Sequence, residues 1–179
     1  MTHFLNIIDA IAEGLAACGR LVIFVLIIAM LYEVVARYGF GAPTLWAFDI
    51  SYMLNGSIFL LGAAYALRSD VHVRIDFLSQ RLPMRVQQLL NGIVFLFIMM
   101  PITSIFAFVA GKKALKAFTS GEVEAVSPWA PVVWPFYLII AIGLAAFALQ
   151  FLGEAIKLLS GRKNPGEAPG ELDEMGQAQ

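Results

Sequence analysis

The stretch Ile50-Ser51-Tyr52-Met53-Leu54-Asn55-Gly56-Ser57-Ile58-Phe59-Leu60-Leu61-Gly62-Ala63-Ala64-Tyr65-Ala66-Leu67 carries no charge, and it runs directly into Arg68-Ser69-Asp70-Val71-His72-Val73-Arg74-Ile75-Asp76. A segment this apolar demands burial on all sides. A chain of 179 residues with 60% hydrophobic composition has too little polar surface to provide that burial in water. The fold class that follows is an all-α integral membrane protein.

Further uncharged runs occur at 21–32, 86–111 and 125–153. Since about 20 helical residues cross the hydrocarbon layer of roughly 30 Å, four spans are expected, at about 18–38, 46–67, 86–111 and 131–153. Together they make residues 1–160 one membrane domain, and residues 161–179, rich in Gly, Pro and Glu, a flexible tail with too few apolar groups to order. Glu33 and Arg37 lie one turn apart and can pair, so the first span can continue to Tyr38 without an isolated charge in lipid. Pro43 or Thr44 can open the second, with Trp46 at headgroup depth. Pro101 removes a backbone donor from the third and predicts a kink, with Thr103 and Ser104 placed to answer a freed carbonyl. The fourth follows a Pro- and Trp-rich stretch, Ser127 to Pro131, and Gly153, Glu154 and Lys157 mark the return to water.

Two flanking segments read as amphipathic. Asn6, Asp9, Glu13 and Arg20 share one face and Ile7, Ile8, Ile11 and Leu15 the other, so residues 2–19 either lie on the membrane surface or extend the first span as one long tilted helix. Residues 75–82 suggest a short interfacial helix before Pro83. With the N-terminus inside, eight basic residues fall on the cytoplasmic side and four outside, which favours both termini in the cytoplasm. Asp9 and Glu13 replace the basic start of a signal peptide, so the first apolar segment is expected to stay in the mature chain.

Little points to chemistry. The two histidines, His3 and His72, lie outside the expected spans, which argues against a membrane haem protein. Metal-ligand spacings, nucleophile elbows and phosphate loops are missing, and no basic face suggests nucleic acid. Cys18 reads as a packing residue and cannot form an internal disulfide. An enzyme is not expected, nor is a bound cofactor.

Charges within spans are the ordinary mark of a transport path, so Glu33, Arg37 and Asp49 are the first candidates. A cluster of the three that neutralises itself and pins two helices is favoured over an ion-coupling carboxylate, because Arg37 keeps both acids ionised near an interface. Asn55 is expected to make a helix–helix hydrogen bond, and Gly56 with Gly62-Ala63-Ala64 to supply a smooth face for close helix approach. Four thin spans without internal repeats suggest a supporting subunit. The alternative is a stand-alone small homo-oligomeric membrane carrier or channel, with Asn55 and Glu33 lining its route.

Glu33-x-x-x-Arg37-Tyr38, Trp46 with Asp49 three residues on, Gly62-Ala63-Ala64, Arg68 and His72-Val73-x-Ile75-Asp76 together resemble the small membrane subunit of tripartite ATP-independent periplasmic (TRAP) transporters, the DctQ-type family. The resemblance covers residues 20–85, and it departs at Asp49, where the family more often has Glu. It implies four spans in the cytoplasmic membrane of a bacterium or archaeon, and both ends in the cytoplasm. It also implies association with a large DctM-type permease subunit that carries solute and sodium ions, and a periplasmic solute-binding protein that delivers an organic acid. The small subunit would be a static, lipid-embedded scaffold. His72 matches the family's His-Val motif and either ties the loop or senses pH.

Overall fold

The computed structural model describes residues 2–69 and 83–164. The expected interfacial helix over 75–82, together with His72 and Asp76, lies outside the described residues, as does the tail beyond Asn164. Among the described residues four helices are long and apolar enough to cross a membrane. They are α1 (Thr2–Gly39), α2 (Ala47–Arg68), α3 (Met84–Ser120) and α4 (Trp134–Leu159).

Of the two readings of residues 2–19, the continuous helix is the one observed. No Pro interrupts the 38 residues of α1, and at 1.5 Å per residue it is about 57 Å long, well beyond the hydrocarbon thickness. One face of it packs against the rest of the protein. Leu5, Ile8, Ala12 and Ala16 are buried, whereas Ile7 and Ile11 are exposed. Small side chains at positions 12 and 16 let the neighbouring helices come close. Cys18 is exposed, contrary to its expected packing role.

Helix α1 stops where Gly41 takes a positive φ of 63° and the Ala42 amide bonds back to the Ala36 carbonyl. Pro43 and Thr44 remain in the connection, and α2 starts only at Ala47. Helix α3 contains a π-helical turn, Phe95–Met99, between its α-helical parts Met84–Val94 and Met100–Ser120. Pro101 cannot donate to the Phe97 carbonyl one turn back, and the widened turn sits immediately before it. Thr103 and Ser104 do bond backward, but to the Met99 and Met100 carbonyls and not to that of Phe97. After Gly121 a loop held by one antiparallel bridge, Val123 to Val132, leads to α4, with Pro135 in its first turn.

Helix α4 is the hub, packing on α1, α2 and α3, while α1 also lies along α2. Alanines make the central junction: Ala12, Ala64 and Ala146, from three different helices, meet with Leu15 against them. At Gly143 an added Cβ would stand 2.9 Å from the Leu60 carbonyl oxygen, so α4 and α2 approach backbone to backbone. Such contacts replace the hydrophobic drive that lipid cannot supply between helices.

Candidate functional site

Polar side chains collect at the two ends of the assembly. At the α1–α2 turn, Glu33 is buried and Arg37 Nε donates to its Oε1 at 2.8 Å. The other oxygen accepts from the Thr44 amide at 3.0 Å and from the Thr44 hydroxyl. One carboxylate thus fastens the end of α1 to the connection that follows it. Asp49 does not join this cluster as expected. It is 4% exposed and accepts from the Ser127 hydroxyl, which ties α2 to the α3–α4 loop. Among the described residues no ion pair links Asp49 to Arg37. The shorter reach of Asp compared with Glu fits its turning to a neutral partner instead. Trp46, just before α2, stacks on Tyr32 of α1 with ring centroids 5.8 Å apart, adding an aromatic contact at the α1–α2 turn.

The opposite end holds a network that sequence reasoning missed. Asp9 of α1 accepts from Lys157 of α4 and from the Gln150 side-chain amide at 3.1 Å. Arg68 at the end of α2 pairs with Glu13, and its Nε lies 3.9 Å from Asp9. Glu154, 1% exposed, accepts from Lys157 at 2.9 Å and from Lys163 at 2.7 Å. Lys163 also reaches the Arg68 carbonyl, and Gln88 of α3 bonds the chain just after it. Three acids and three bases therefore balance across α1, α2, α4 and the segment after α4. Each of these residues lies near a helix end, where charge is normally read as facing water. The available signal was the i,i+3 pair Glu154 and Lys157.

The small-residue face of α2 divides. Gly56 is filled by Phe136 of α4, whose ring would stand 3.0 Å from an added Cβ, and Ala63 and Ala64 are buried. Gly62 faces open space. Asn55 is exposed and, among the described residues, makes none of the expected helix–helix hydrogen bonds. Among the described residues no group of three or more His, Cys, Asp or Glu is placed to hold a metal ion.

Residues 26–161 match the family model for tripartite ATP-independent periplasmic transporters, DctQ component. The chain belongs to the DctQ family. As the DctQ component of a TRAP transporter it is a multi-pass membrane protein of transport, not an enzyme. A curated relative, the sialic acid TRAP transporter permease protein SiaT of Haemophilus influenzae (strain 86-028NP), is 29% identical over 87 residues. Those residues are 49% of this chain and 14% of the relative, so this DctQ chain matches only a small part of that longer protein. No solved structure matches the chain.

Proposed function

We propose that this DctQ chain is the static scaffold of its transporter. It braces a large permease component that moves an organic acid with sodium ions after delivery by a periplasmic binding protein. Residues 1–160 would form the membrane domain and 161–179 a cytoplasmic tail, with both termini in the cytoplasm of a bacterial or archaeal cell. Sodium and solute would bind the large component. The observation that carries this reading is that each buried acid is already occupied. Glu33 holds Arg37 and Thr44, Asp49 holds Ser127, and Glu154 holds two lysines. A coupling carboxylate must exchange its partners during a cycle, whereas these join one element to another.

The orientation is supported by the eight-to-four excess of basic residues on the side of the termini. Solute choice is not carried over from the sialic acid relative, whose matched part is 14% of its length.

The test is reconstitution in sealed vesicles with an inward sodium gradient, using a panel of carboxylate- and sulfonate-bearing solutes. Uptake is expected only when this chain, the large component and the binding protein are all present. Replacing Glu33, Arg37 or Asp49 singly should lower uptake only as far as it lowers recovery of the complex. Accumulation driven by this chain alone would establish a carrier in place of a scaffold.

A further inference from the structure

Near the middle of the 22-residue α2, the Asn55 carboxamide is exposed and makes no hydrogen bond to any described residue. The central exposed side chains of the other helices are different in kind. Phe24, Ile28 and Leu31 of α1, and Ile102, Ile105 and Val109 of α3, are apolar and suit lipid tails. Lipid tails offer a carboxamide neither donor nor acceptor, so Asn55 requires a protein group beside it at that depth.

Its neighbours on the helix surface define the rest of the face. Phe48, Tyr52 and Phe59 are spaced four, three and four residues apart through Asn55, and they are 80%, 50% and 75% exposed. Gly62 follows three residues later, where an added Cβ meets nothing within 4 Å. This is the alternating three-and-four spacing by which one helix packs along another, with a small residue at one end that lets a second backbone approach. At its other end the stripe opens into a cavity of about 560 Å³, lined by Leu45, Phe48, Tyr52, Val126 and Pro128 with Asp49 and Glu124 in its wall. The surface is therefore shaped from mid-helix out to the α3–α4 loop.

We propose that the Phe48–Tyr52–Asn55–Phe59–Gly62 face of α2 is the docking site for a transmembrane helix of the large permease component, which presents an Asn, Gln, Ser or Thr side chain to Asn55. This deepens the scaffold reading and rests on it. A second copy of this chain fits the face poorly. Two copies inserted the same way would set Phe59 against Phe59 and Gly62 against Gly62, crowding one level and leaving a gap at the next. A different helix can carry small residues opposite Phe48 and Phe59 and a larger one opposite Gly62.

The test co-expresses the tagged full chain with the large component of the same organism and measures how much of that component is recovered in mild detergent. Asn55→Leu is expected to lower recovery about threefold to tenfold, and Gly62→Trp to abolish it. Ile28→Trp, on the exposed face of α1, should leave recovery unchanged. Thermal unfolding of each variant alone checks that it folds, and Phe59→Ala serves in place of any that does not. If the unaltered chain recovers the large component and the α2 variants do so equally, the docking face is wrong and the scaffold reading stands. If the unaltered chain recovers none, the scaffold reading itself fails. The photo-reactive residue p-benzoylphenylalanine in place of Phe59 should insert into a C–H bond of the large component on illumination, and a cross-linked pair of this chain instead would overturn the assignment in favour of a second copy.

Discussion

Lys157 Nζ lies 2.8 and 2.9 Å from the two carboxylate oxygens of Asp9, a residue 148 positions earlier in the chain. The contact closes the first helix onto the last, and Lys157 passes the connection on to Glu154, whose side chain is 1% exposed. Lys157, Lys163 and the Gln150 side-chain amide all donate to that carboxylate, so it is fully partnered where it is buried.

Replacing both lysines with Met should therefore destabilise the protein by about 3–5 kcal/mol, the usual cost of stripping partners from a buried charge. Adding Glu154→Gln should recover part of the loss, since a neutral amide needs no cation while Asp9 still lacks Lys157. Denaturant unfolding in detergent measures both effects. Equal stability of the double and triple variants would show that Glu154 does not depend on the lysines.

At the other end, Thr44 offers two donors to one oxygen of Glu33. Thr44→Val removes the hydroxyl and keeps the amide, and a loss of about 1 kcal/mol is expected. Glu33→Ala removes both attachments and leaves Arg37 without its partner, so a larger loss should appear in the same unfolding measurement. If Thr44→Val costs as much as Glu33→Ala, the hydroxyl alone holds the turn.

The four spans were legible because lipid imposes a composition that survives without any knowledge of neighbours. The Glu33 and Arg37 pair was legible for a related reason, since a spacing of four fixes proximity within one helix. Asp49 was misassigned because its partner, Ser127, lies 78 residues away in a loop with no pattern. The Asp9 network was hidden similarly: charges at helix ends look alike whether they face water or each other. The contact face of α1 was not legible either, because Ala12 and Ala16 stand out less in hydropathy than Ile7 and Ile11, although small residues make the closer contact. In α2, apolar residues on every face left no periodicity to say which way Asn55 points.

Gly143 and Gly62 provide a matched pair for the packing of α4 on α2. An alanine at 143 would place its methyl against the Leu60 carbonyl oxygen, and the helices must separate, at a cost of about 1–3 kcal/mol. An alanine at 62 enters open space and should leave the isolated chain as stable as before, or slightly more so from the helix preference of Ala over Gly. Thermal unfolding of the two single variants checks the contrast, and equal midpoints would show that Leu60 moves aside freely.

The π turn Phe95–Met99 ends two residues before Pro101, the residue that lacks an amide. Pro101→Ala restores an amide that can bond the Phe97 carbonyl, and the α-helical pattern can then run through Phe95–Met99. Amide exchange across this turn should slow as its hydrogen bonds shorten to the regular pattern. A competing influence is packing: Phe95 meets Phe151 of α4 edge-on, with centroids 5.2 Å apart, and straightening the turn would shift that ring. If exchange in the variant is unchanged, the aromatic contact and not the missing amide sets the turn. Phe151→Leu combined with Pro101→Ala should then release it.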